Sequence, residues 1–175
     1  MTIIPRRPRA GNARWIAAAG MLAAIAFPRM MPAQVRLSVG AGAGVAGSTD
    51  QSLSFGRGGL LLTGQLARVV LPFVGIGAEV NYWTRSGSSL TFATAIVQVH
   101  VPMTGLLLKA GAGYGGGDPD GLGRVNGVAG QLGAAYDLTL PGAPIAITLF
   151  ANGALAYSSA RSAQLVGGGL ALTFR

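Results

Sequence analysis

Residues 35–45 read Val-Arg-Leu-Ser-Val-Gly-Ala-Gly-Ala-Gly-Val. The odd positions Val35, Leu37, Val39, Ala41, Ala43 and Val45 are all apolar. The even positions Arg36, Ser38, Gly40, Gly42 and Gly44 are polar or glycine. A period of two is the spacing at which side chains leave an extended strand on opposite faces. The segment is therefore a strand with one apolar and one polar environment. A helix is the wrong reading, since each interior glycine costs it about 1 kcal/mol relative to alanine.

The same alternation recurs to the end of the chain and predicts seven further strands. They cover about 59–70, 73–84, 90–101, 105–115, 127–139, 145–157 and 164–174. Leu60, Leu62 and Leu66 oppose Thr63 and Gln65; Ile76, Ala78 and Val80 oppose Gly75, Gly77 and Glu79. Later strands set Val97 and Val99 against Gln98 and His100, and Leu108 and Ala110 against Lys109 and Gly111. The last three set Leu132 and Leu138 against Gln131 and Asp137, Ile147 and Leu149 against Thr148, and Leu170 and Leu172 against Gly169 and Thr173. A tilted membrane-spanning strand needs about 9–11 residues, whereas soluble strands average about 5–6. The predicted fold is all-β: an eight-stranded antiparallel up-and-down transmembrane barrel. Closure leaves no unpaired edge, which a hydrocarbon solvent requires. Connections at Leu71-Pro72, Pro102-Met103 and 140–142 read as short turns, and 48–58, 85–89, 116–126 and 158–163 as longer polar loops.

Composition agrees. The chain has 175 residues, half of them hydrophobic, 10% charged, 29 of them glycine, and no cysteine. Disordered chains are poor in apolar residues and rich in charge, so disorder is excluded. Disulfide frameworks and cysteine-based zinc sites are excluded with the cysteines. The net charge of +8 is concentrated at the start, where Arg6, Arg7, Arg9, Arg14 and Arg29 meet no acid. The remaining eight basic and five acidic residues are dispersed, so nucleic acid is not an expected partner. Residues 1–33 read as an export signal: a basic stretch, the apolar run Trp15–Phe27, and a cleavage point after Ala33. That run is too short for a membrane helix of about 20 residues. Residues 34–175 are the expected barrel domain.

Tyr82, Trp83, Tyr114 and Tyr157 fall near the loop ends of their strands, and Phe73, Tyr136 and Phe174 near the turn ends. Two aromatic belts are expected at two membrane interfaces. Trp83 and Phe92 carry the inward parity, which requires either a bulge in the third and fourth strands or an inward aromatic plug. Arg68 has outward parity near the rim.

With its layout, its strand wording (PFVGIGAEVNYW at 72–83, LLLKAGAGYG at 106–115) and its last strand LALTFR at 170–175, the chain resembles a known group. It is similar to the small eight-stranded bacterial outer-membrane barrels, of the transmembrane-domain type of outer membrane protein A and its relatives. The resemblance implies residence in outer-membrane lipid. It also implies insertion by the barrel-assembly machinery, with Phe174 as the aromatic assembly signal.

Candidate chemistry is sparse. Gly42-Ala43-Gly44-Val45-Ala46-Gly47 matches G-x-G-x-x-G, but no helix period follows to offer its N-terminus to a pyrophosphate. Asp118-Pro119-Asp120-Gly121 opens like a calcium loop, yet position 129 is alanine where an EF-hand needs glutamate. No cofactor and no metal are expected. Ser38, His100 and Asp137 share the inward face near one end, which is away from the substrate of a lipid hydrolase. Arg36, Glu79, Lys109 and Asp137 also face inward, where charges must pair; Gln98, Gln131 and Asn152 extend that polar network. The expected role is a structural envelope barrel without catalysis. The alternatives are a narrow pore with a charged lumen, opened by the room that the inward glycines leave, and a soluble exported barrel that binds lipid or another ligand.

Overall fold

The structure, a computed structural model, describes residues 35–48, 58–71, 73–119, 121, 123–139, 143–159 and 161–175. The expected export signal at 1–33 lies outside the described residues, as do Pro72, Asp120 and the 140–142 turn. Eight strands follow in order: β1 (Val35–Ser48), β2 (Gly58–Leu71), β3 (Val74–Arg85), β4 (Ser88–His100), β5 (Leu106–Asp118), β6 (Val125–Thr139), β7 (Ile145–Tyr157) and β8 (Ser162–Phe174). Each pairs antiparallel with its sequence neighbours, and β1 pairs with β8 to close the barrel.

Facing residues trace the wall from Ser38 through Gln65, Glu79, Thr94, Gly113, Ala129, Ala156 and Ala163, and return to β1 at Ser48, ten residues farther along. This stagger obliges the strands to lean, by roughly 35–45° in barrels of this kind. It also means that residues at one height come from distant positions in the sequence.

Two differences from the sequence reading have local causes. The strands are longer toward the loop end, reaching Ser48 in β1 and Asp118 in β5. The added residues pair without alternating; Gly116 and Gly117 face Thr91 and Leu90. The connection expected as a polar loop at 85–89 is instead a tight turn. Ser86 (φ 41°) and Gly87 (φ 88°) both have positive φ, as a type I′ hairpin requires. No bulge interrupts β3–β4, whose register runs unbroken from Val74↔Val99 to Arg85↔Ser88. The one register shift in that region sits at the opposite end of β3, between Val69 and Leu71 of its partner β2.

The interior has two tiers. Toward the turn end it is polar, with Arg36, Gln98, Lys109, Asp137 and Thr148 buried. Toward the loop end it is apolar, with Leu61, Trp83, Leu90, Phe92, Val125 and Leu165 each at most 1% exposed. The outward face carries the large apolar residues, for example Ile76, Val97, Leu132 and Leu170.

Candidate functional site

The polar tier is organised around two carboxylates. Asp137, on β6, accepts both terminal nitrogens of Arg36 from β1, each at 2.7 Å. Thr148 of β7 donates to Asp137 Oδ1 at 2.6 Å, and Arg175, just past β8, donates to Oδ2 at 2.5 Å. Thr148 also shares a hydroxyl contact of 2.7 Å with Thr173, which in turn meets Ser38 at 2.8 Å. One carboxylate thus collects side chains from β1, β6, β7 and the end of β8, the strands on both sides of the closing seam.

Glu79 of β3 is the second hub. Lys109 Nζ donates to its Oε2 at 2.6 Å, while Asn81 and Asn152 donate to Oε1 at 2.9 and 2.8 Å. Asn81 and Thr94 also donate to Gln131 Oε1 at 3.0 and 3.1 Å. Gln65 donates to Gln98 Oε1 at 2.7 Å. Side-chain exposure of the Lys109–Glu79 pair is 3% and 0%, so neither charge can fall back on solvent. Removing one partner of such a pair costs about 3–5 kcal/mol, whereas replacing both with neutral groups costs little. Lys109→Met and Glu79→Gln should each destabilise the refolded barrel by that amount, and the double variant should recover most of it. Urea unfolding of the three variants checks this; equal losses that simply add would refute the pairing.

The apolar tier is a septum. Trp83 Nε1 donates to the Gly44 carbonyl at 2.8 Å. The indole packs against Gly59, where an added Cβ would lie 2.6 Å from Trp83 Nε1. Phe92 packs against Gly115 in the same way, at 2.9 Å from such a Cβ, with Ala156 beside it. Glycines on the wall therefore make room for aromatic rings laid across the lumen.

No family model matches the chain, and no curated protein does. Solved structures do. The attachment invasion locus protein Ail of Yersinia pestis aligns with a TM-score of 0.56 at 10% identity, over 82% of this chain and 100% of that one. The N-terminal β-barrel domain of Pseudomonas aeruginosa OprF aligns at 0.50 and 15% identity, over 81% and 98%. Neisserial surface protein A aligns at 0.50 and 10% identity, over 80% and 96%. The chain has the fold of the small eight-stranded outer-membrane barrels.

Within this barrel, the aromatic positions divide. Tyr114, Tyr136, Tyr157 and Phe174 point outward and are exposed, and Tyr82 is half-buried on the same face. Trp83 does not join them. Expected at an interface, it is 1% exposed and inside, because its odd position on β3 overrides its place near the strand end. Of the two readings the inward parity of Trp83 and Phe92 allowed, the structure has the inward aromatic plug and no bulge in β3–β4. Leu61, Leu107 and Phe150 are inward residues whose outward neighbours are apolar too.

Among the described residues, the remaining motifs of the barrel bring no catalytic or metal-ligating groups together. Gly42, Gly44 and Gly47 lie within β1, which is continuous strand. Asp118 Oδ1 accepts the backbone N–H groups of Gly121 at 2.7 Å and Gly123 at 3.4 Å, so its carboxylate caps a turn. Among the described residues no cluster of three or more histidine, cysteine or acidic side chains could hold a metal. Ser38 bonds to Thr173, and Asp137 is occupied by arginines and Thr148; neither is joined to His100, which sits at the turn end of β4.

Proposed function

We propose that this protein is an integral β-barrel of a bacterial outer membrane with a structural envelope role and no catalysis of its own. The observation that carries the reading is the outward face. In the middle of all eight strands it is aliphatic, alanine or glycine, and its one charge, Arg68, lies three residues from the turn end of β2. Water tolerates contiguous apolar patches of only a few hundred Å² on a monomer; a continuous apolar belt around a barrel suits hydrocarbon. Arg68 is long enough to carry its charge to the headgroups. Strands of 12 to 15 residues exceed the 9–11 that span a bilayer. In this reading residues 1–33 are a cleaved export signal, the turn end faces the periplasm, and Phe174 is the signal that the assembly machinery reads. The aromatics Tyr82, Tyr114, Tyr136, Tyr157 and Phe174 would sit at the two interfaces. The septum argues against a conducting resting state, so the pore is the weaker alternative.

Refolded protein should pellet with phospholipid vesicles through an alkaline carbonate wash. It should also migrate faster on a gel before boiling than after. Recovery as a soluble monomer without detergent would sink the proposal in favour of a soluble ligand-binding barrel.

A further inference from the structure

Residues 34–175 contain one methionine, Met103, and no cysteine. Met103 stands at the tip of the β4–β5 turn, and its side chain is fully exposed. The turn is closed by its neighbours. The Thr104 hydroxyl donates to the Val101 carbonyl at 3.0 Å and accepts the Leu106 N–H at 3.1 Å. The Val101 N–H donates to the Leu106 carbonyl at 2.8 Å, and the Gly105 carbonyl accepts the Asp137 N–H at 3.0 Å. Met103 takes part in none of these bonds. At φ 62° it holds a left-handed conformation, which glycine or asparagine enters more readily. Neither the backbone nor packing accounts for a thioether at this position.

We propose that Met103 is an oxidation site, at which a peroxide converts the thioether to a sulfoxide while the closed wall stays intact. The sulfur attacks one peroxide oxygen, the O–O bond breaks, an S–O bond forms, and the other oxygen leaves as water. The thioether is oxidised and the peroxide reduced. A sulfoxide inside a core is disruptive because it is polar. At Met103 the added oxygen meets water, and none of the bonds that close the turn is lost. Trp83, the one tryptophan of residues 34–175, is shut inside the septum at 1% exposure. The barrel thus offers a water-borne oxidant a single sulfur, at a point where the product does not harm the fold. The proposal goes beyond the envelope role and holds whichever solvent meets the outer face.

The full chain is refolded into phospholipid vesicles and treated with hydrogen peroxide. Sulfoxide is read residue by residue through peptide mapping, so the methionines before residue 34 do not interfere. Leu107→Met is the control, since it places a thioether on β5 at an inward position that is 1% exposed, with little change in volume. Met103 should oxidise as fast in the folded barrel as in the urea-unfolded chain. The thioether introduced by Leu107→Met should oxidise about tenfold more slowly in the folded barrel than in the unfolded chain, because burial withholds it from the oxidant. The parent oxidised at Met103 should keep its gel shift before boiling. Protection of Met103 by folding, equal rates at the two positions in the folded barrel, or loss of the gel shift on oxidation would each overturn the assignment. Should Leu107→Met not fold, the folded-against-unfolded comparison at Met103 in the parent decides alone. A chain that never enters the vesicles overturns the membrane reading, and the same comparison in solution still tests this site.

Discussion

Gly42→Val should refold to no closed barrel at all. A Cβ at Gly42 would stand 2.0 Å from the Gly168 carbonyl oxygen and 2.6 Å from Gly169 Cα, across the β1–β8 seam. From the other side, a Cβ at Gly169 would stand 2.2 Å from the Ala41 oxygen. The two glycines face each other, and the atoms they would strike are backbone, which no rotamer change can move aside. Valine at this point can be accommodated only by parting the strands. Other pairings in the wall join strands that are consecutive in sequence, but β1 and β8 meet only through closure, so this is the seam that a steric wedge defeats first. An open sheet in lipid leaves a row of backbone groups unsatisfied, each at a cost of several kcal/mol. The expected result is an unshifted gel band at every temperature. Gly64→Val is the matched control, since nothing lies within 4 Å of a Cβ there, and it should fold as the parent does. A Gly42→Val protein with the parent's band shift would show that the seam is far more compliant than its geometry states.

Trp83→Ala/Phe92→Ala should convert a silent barrel into a conducting one. Turn-side water has polar groups to follow as far as Glu79 and Asn81; beyond them, among the described residues, Trp83, Phe92 and the buried aliphatic side chains around them cross the lumen. Hydrophobic constrictions of this kind close a path by excluding water. Truncating both rings removes the two largest fully buried side chains and the one hydrogen bond that pins the indole. Large-to-small changes at each site cost about 3–5 kcal/mol in a close-packed core, so the single variants are the more robust carriers of the same test. In planar bilayers the parent should show no discrete conductance steps, the single variants brief openings, and the double variant sustained current. A parent that conducts as the double variant does would remove the septum from the account and restore the pore reading.

The fold was legible because a period of two needs nothing beyond neighbouring residues. Val35 to Val45 declares its two faces without reference to the rest of the chain. Strand ends were less legible, since Gly116 and Gly117 pair as strand yet offer no alternation to read. The septum was legible in part: the inward parity of Trp83 and Phe92 pointed to an aromatic plug, but Leu60, Leu61 and Leu62 are alike in type, so only the parity of Thr63 and Gln65 farther along the strand marks the middle one as inward. Trp83 shows two rules in competition, position near a strand end against parity, and parity decides its location. The side-chain partners are the least local feature. Arg36 and Asp137 are 101 residues apart, and only the ten-residue stagger of the closed wall brings them to one height. Alternation puts Arg36, Glu79, Lys109 and Asp137 on one face, but it contains no information about who meets whom.

The Asp137 clasp has a kinetic consequence. Its Arg36 half joins the first strand to the sixth, so that half can form only once the two ends of the strand order have met. A contact made that late contributes little to the folding transition state. Interactions absent from the transition state leave the folding rate almost unchanged and slow unfolding instead. The clasp therefore acts as a lock on a finished barrel: it lengthens the lifetime of the closed wall, which is the quantity that governs endurance when unfolding is irreversible.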